Sequence, residues 1–154
     1  MSKCGKYRYK LVREWNERLS GVTFICLNPS IADENIDDPT ILKCVNFAKK
    51  WGCGSLTVLN LFALRSTDPK VLCRSSDPVG EENYAYLNQL NDSTEIKVAA
   101  WGNHGNLNNR GCEVSALIKD LYYLRLNKTA QPAHPLYLPA ELNPVLWVSC
   151  PVSV

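Results

Sequence analysis

In GVTFICLNPSIADENIDDPTILKCVNFAKKWG (residues 21–52), an apolar run breaks into an acidic turn and then into a helical repeat. Gly21 to Leu27 carries no polar alternation, as expected of a strand buried on both faces of a parallel sheet. Asn28-Pro29-Ser30 ends that strand in a turn. Asp33, Glu34, Asp37 and Asp38 follow within a short loop. Asp38-Pro39 is a helix start, with Asp38 as the N-cap and Pro39 at the first helical position. Ile41, Cys44, Val45, Ala48 and Trp51 then keep helical spacing until Gly52 and Gly54 stop the helix.

The same alternation of elements continues outward. Tyr7 to Trp15 alternates as a strand, and Ser55 to Leu61 and Glu95 to Trp101 form two more. Residues 65–80 are expected to be a long loop with Asp-Pro turns at Asp68 and Asp77. Glu81 and Glu82 open a helix burying Tyr84, Leu87 and Leu90. An Asn/Gly loop at 102–109 precedes a helix with Val114, Leu117, Ile118 and Leu121 on one face. Tyr123 to Leu126 is the last expected strand, before a proline-rich tail. This pattern predicts one α/β domain over residues 1–154, three-layered, with a mainly parallel central sheet and an antiparallel N-terminal edge strand. Ligands of such sheets bind beyond the carboxyl ends of the strands. Asn28, Asn60 and Trp101-Gly102-Asn103 stand at three of those ends, and His134-Pro135 follows the last strand.

Composition narrows the partners only loosely. The 154 residues are 45% hydrophobic with a net charge of +2, and no apolar run is long enough to span a bilayer. The start MSKCGKYRYK is basic without an apolar segment behind it, so a cytoplasmic protein is expected. Lys3, Lys6, Arg8, Lys10, Arg13 and Arg18 read as a solvated strand edge or a phosphate-facing patch. The 7 cysteines lack a C-x-x-C pair, and buried free thiols are expected rather than a disulfide framework or a zinc site.

The segments FICLNPSIAD, DDPTILKCVNFAKKWG, LNLFALRSTDP, DPVGEEN, AAWGNHG and HPLYLP resemble the bacterial and phage family called domain of unknown function 1643. The resemblance spans Tyr7 to Trp147. Two positions depart from it: the family shows a glycine where Ala130 stands and a basic residue where Ala133 stands. A more distant resemblance joins the motifs to the uracil-DNA glycosylase superfamily. Cys26-Leu27-Asn28-Pro29-Ser30 is similar to the G-x-N-P-G turn of the mismatch-specific branch, with both glycines replaced. Leu59-Asn60 with Leu64-Arg65 is similar to L-L-N…T-V-R, Trp101-Gly102 to L-W-G, and His134-Pro135-Leu136-Tyr137-Leu138 to H-P-S/A-x-L. This implies a uracil-DNA glycosylase-like fold and a site that takes a nucleobase from DNA or from a nucleotide.

By that resemblance Asn28 positions a water, His134 contacts a base oxygen, and Asn60 reads the base edge. Asp33 or Asp38 supplies a base for the water if the loop folds back. Phe62 and Trp101 are candidate stacking faces, although aromatics at strand ends also pack under loops. Ser30 and Arg65 are candidate phosphate contacts, and Arg65 equally a brace to Asp68. His104 is either a loop tip or a ligand. No metal or cofactor is expected, although Asp33, Glu34, Asp37 and Asp38 offer the oxygen ligands that Mg²⁺ prefers. Two other functions stay open: a non-catalytic module binding modified bases or nucleotides, and a Mg²⁺-assisted nucleotide hydrolase using the acidic loop.

Overall fold

A computed structural model describes residues 2–147. Ten regular elements succeed one another: β1 (Leu11–Glu14), β2 (Gly21–Cys26), α1 (Pro39–Lys50), β3 (Ser55–Asn60), α2 (Pro69–Arg74), α3 (Asn83–Asn88), β4 (Ile96–Ala99), α4 (Arg110–Leu117), β5 (Leu121–Tyr123) and β6 (Val145–Leu146). Short 3₁₀ segments occupy Gln89–Asp92, Asn103–Asn109 and Pro135–Tyr137. The strands form one sheet in the order β1-β3-β2-β4-β5-β6.

The α/β class holds, but the sheet is mixed rather than mainly parallel. Strands β3, β2, β4 and β5 run parallel, while β1 and β6 pair antiparallel at the two edges. The four parallel strands account for the continuous apolar runs, because both of their faces are covered. Every residue of β2 is buried. Val22, Phe24 and Cys26 pack with Ile41, Cys44, Phe47 and Ala48 of α1. Ile25 and Leu27 point the other way, toward Leu72, Leu87 and Val114 of α2, α3 and α4. Alternation along one strand thus feeds two cores, one on each face of the sheet. On the α1 side, Phe24 stacks on Trp51 at 5.8 Å between ring centroids and 3° between planes.

Local chemistry sets the helix starts. Asp38 accepts the Ile41 N–H at 2.9 Å and caps α1, as its Asp-Pro pair predicts. Asp68-Pro69 repeats the device: Asp68 accepts the Lys70 N–H and opens α2 inside the segment expected to be loop. Helix α3 begins at Asn83 instead of at Glu81, which leaves Tyr84 61% exposed while Leu87 is buried. The N-terminal strand is shorter than its alternation suggests, since Tyr7 makes only an isolated bridge to Leu64. Helix α4 ends at Leu117, so Leu121 belongs to β5 rather than to a helix face. The last expected strand is accordingly displaced from 123–126 to Leu121–Tyr123.

Cys26 and Cys44 are buried free thiols, and burial raises the Cys44 thiol well above its ordinary value, with Cys26 beside it adding to the effect. Cys4 and Cys73 are free but exposed. Cys112 departs from expectation in being disulfide-bonded. Among the described residues, no helix is long and apolar enough to cross a membrane, and no group of three or more His, Cys, Asp or Glu could hold a metal.

Candidate functional site

In sequence order the parallel strands run β2, β3, β4, β5, but in the sheet β3 and β4 lie on opposite sides of β2. Strand order therefore reverses beside β2, and crevices beyond the carboxyl ends form at such reversals. A cavity of about 450 Å³ lies there, lined by residues that include Arg8, Asn28, Ser30, Asp38, Asn60, Trp101 and His134. Asn28, Asn60 and His134, separated by up to about a hundred residues in the chain, share this one hollow.

Asn60 ends β3 and is 1% exposed. Both polar atoms of its side chain, Nδ2 and Oδ1, are buried without a hydrogen-bond partner. Its backbone is held firmly: Asn83 Nδ2 donates to the carbonyls of Asn60 and Leu61 at 3.1 and 3.0 Å. Arg110 Nε donates to Leu61 as well, and Leu61 N–H donates to Cys26 across the sheet. The amide is thus fixed in place by its surroundings but left unpaired. Leaving a buried donor or acceptor unmatched costs about 1–3 kcal/mol, and such groups in a native fold point to a missing partner.

Asn28 is placed differently. Its Nδ2 donates to the carbonyls of Pro29, Leu64 and Ser66, tying the strand-end turn to the loop after β3. Its Oδ1 has no hydrogen bond among the described residues, and it is the atom left to accept from a water or a ligand. The Ser66 N–H in turn donates to Pro29, so turn and loop brace one another. Ser66 and Thr67 line the cavity next to Ser30.

The third element is the loop before Pro135. Gly102 N–H donates to Pro132 and Ala133 N–H donates to Arg125, which brings His134 up to the end of β4. Gly102 takes φ +76, and a side chain there would meet His134 Cβ at 3.5 Å. His134 Nδ1 accepts the Leu136 N–H at 3.3 Å, which leaves Nε2 as the protonated nitrogen of the neutral ring. Burial lowers the imidazole pKa below its usual 6.5, opposed by the Asp38 carboxylate. The ring is therefore a neutral Nε2–H donor at physiological pH. Ala130, in the turn that leads here, sits at φ +65, a left-handed conformation that glycine adopts most readily. Ala133 is 6% exposed and packed in the α1-side core.

This buried imidazole gives a pH prediction. The folded pKa is depressed, so the unfolded chain takes up the proton first. Stability from this group is complete above the unfolded value near 6.5 and falls as pH drops toward the lower folded value. Urea titrations at about pH 7.5 and about pH 5.5 are expected to show a loss in the wild type that is smaller in His134→Gln. Equal losses in the two proteins would mean that His134 titrates freely.

Several expected site residues lie elsewhere. Asp33 is outside the cavity, its carboxylate accepting the N–H groups of Asn35 and Ile36 in its own loop. Those bonds hold its pKa below the usual value. Asp38 is the carboxylate that does line the cavity, 7% exposed. Phe62 is fully buried in the opposite core and is not part of the cavity lining. Trp101 borders the cavity but is 1% exposed, with its indole N–H donating to Gln131 Oε1 at 2.8 Å. Its ring lies so close to Gly105 that a Cβ there would come within 2.0 Å. Trp101 is mainly a core residue. Arg65 borders a neighbouring shallow groove with Lys6, Ser30 and Thr67. His104 lines the rim.

Two contributors are hidden in the sequence. Asn83 sits in the acidic-looking DPVGEEN run, and only the structure shows that it clamps Asn60. Arg8 alternates with tyrosines as a surface strand residue would, yet it is 4% exposed and lines the cavity. No curated protein and no solved structure matches the chain. A family model described as a protein of unknown function (DUF1643) matches residues 8–136, and the chain belongs to that family.

Proposed function

We propose that the cavity receives a nucleobase and that the protein hydrolyses the bond between that base and its sugar. The observation that carries this reading is the Asn60 amide, buried, positioned and unpaired on both its donor and its acceptor atom. A pyrimidine presents a donor and an acceptor side by side on its pairing edge, and one amide answers both. The motif resemblance to uracil-DNA glycosylases supports the same reading and extends it to the fold.

The reaction follows from the polar groups around Asn60. As the C1′–N bond breaks, its electron pair moves onto the base and positive charge grows on the sugar. The His134 Nε2–H then donates to the base oxygen that gains charge. Water held at Asn28 Oδ1 forms the new C1′–O bond, and its proton passes to the Asp38 carboxylate or to solvent. Of Asp33 and Asp38, the two acids expected for that role, Asp38 is the one that lines the cavity. A modified pyrimidine, in DNA or in a free nucleotide, is the substrate class.

The test is incubation with 2′-deoxynucleosides and single-stranded oligonucleotides carrying uracil, thymine, 5-hydroxymethyluracil or cytosine. Free base is read by chromatography and abasic sites by alkali cleavage. Release of at least one base is expected, falling about 10²–10³-fold in His134→Ala. Saturable base binding without release would keep the recognition and remove the hydrolysis, leaving a binding module. Neither binding nor release would end the proposal.

A further inference from the structure

The cavity holds a charge that the nucleobase reading does not use. Arg8 is 4% exposed. Its Nη1 donates to the Ala32 carbonyl, while its Nε is buried without a partner. No hydrogen bond to Nη2 and no carboxylate within ion-pair distance is found among the described residues; the ion pairs there are Arg13–Asp37 and Arg110–Glu113. The Nε–Nη2 edge is the fork with which a guanidinium grips carboxylates and phosphates.

Burial weakens the Arg8 cation most. The charges around Arg8 are mixed: among them the Asp38 carboxylate acts on it most strongly and favours its cation, while Arg65 and Arg13 oppose it. One Asp38 oxygen caps α1, and Asp38 forms no ion pair with Arg8 among the described residues. His134 is neutral and adds nothing. Arg8 borders the cavity on one side and a groove with Lys10, Arg13, Asp33 and Glu34 on the other. A buried guanidinium with a free edge is costly unless a counter-ion completes it.

We propose that the natural ligand carries an oxyanion, a phosphate or a carboxylate, which the Nε edge of Arg8 receives within the same cavity that holds Asn60. The identification of the rest of the ligand as a nucleobase rests on the reading above; the anion does not. Arg8 is then a specificity-determining residue. Two sources supply the group: the 5′-phosphate of a nucleotide, or an acidic substituent on the base.

Calorimetric titration with four probes separates these cases: 2′-deoxyuridine, its 5′-monophosphate, 5-carboxy-2′-deoxyuridine and ribose 5-phosphate. In the wild type at low salt, one anionic nucleoside is expected to bind about tenfold more tightly than deoxyuridine, as a charge-assisted hydrogen bond allows. The monophosphate winning identifies a nucleotide phosphate; the carboxy compound winning identifies a base substituent. Arg8→Met is expected to erase the preference. Arg8→Lys keeps the charge without the fork, packs more conservatively, and is expected to lose most of it. Ribose 5-phosphate binding as well as the monophosphate, and lost in both variants, would uphold the anion site while removing the nucleobase. An anionic probe that binds no better than deoxyuridine, or a preference that survives both substitutions, would overturn the assignment.

Discussion

Asn60→Leu is expected to make the protein more stable by about 1–3 kcal/mol while abolishing nucleobase binding. The substitution is close to isosteric, and it removes two buried polar atoms that have no partner. Because Asn60 is 1% exposed, the amide is not satisfied by bulk water, and its desolvation is a standing cost of the unliganded fold. A ligand that pairs with it recovers that cost, which makes the residue destabilising alone and useful when bound. Denaturant titration checks the first half and calorimetry with pyrimidine nucleosides the second. A loss of stability in Asn60→Leu would mean that the amide has partners in solution. Asn83 is a positioning residue in this scheme: it holds the Asn60 and Leu61 carbonyls, not the amide itself.

Trp101→Ala is expected to cost about 3–5 kcal/mol, the range for deleting a large buried aromatic. Trp101 is among the largest fully buried side chains, and it packs at 5.8 Å from Trp147. Its ring fills the space that Gly105 and Gly111 leave by having no side chain. Its N–H bond to Gln131 ties the end of β4 to the segment that delivers His134. Trp101→Phe should cost much less, since most of the apolar contact survives. Urea unfolding of both variants checks this. A cost under about 1 kcal/mol for the alanine variant would show that Trp101 is a ligand-facing platform instead of a core residue.

The strand-turn-helix unit from Gly21 to Lys50 was legible because its determinants are local. An unbroken apolar run needs cover on both faces, and Asp-Pro fixes a helix start whatever lies around it. Asn28, Asn60 and His134 could be read as one site because each follows or ends a buried-type strand, and such ends converge. Helix α2 was missed although Asp68-Pro69 repeats the α1 start, because in six residues only Leu72 reaches the core and no helical stripe develops. Strand β6 is two exposed residues and leaves no periodicity to detect. The antiparallel N-terminal edge was expected and is β1; the second antiparallel edge, β6, depends on chain routing rather than on residue pattern.

Charged residues were misread for a different reason. Asp33 in the sequence is an acid near the Asn28-Pro29 turn, but in the fold it accepts N–H groups two and three residues on, a use that any turn aspartate can have. Arg8 errs in the opposite direction. Its partner Ala32 lies 24 positions away, and only tertiary folding decides that a strand-edge arginine is buried. The burial of Asn60 and Arg8 in the cavity wall is visible only in three dimensions.

The account turns on the Asn60 side-chain amide meeting a ligand that no part of the chain replaces. Its NH₂ pair can be followed directly by ¹⁵N-correlated NMR while pyrimidine 2′-deoxynucleosides, neutral and anionic, are titrated in. A saturable shift of that pair with at least one of them, absent from the Asn60→Leu spectrum, is the expected result. An NH₂ pair that stays unmoved across the whole series, while other cavity residues shift or nothing shifts at all, would contradict it.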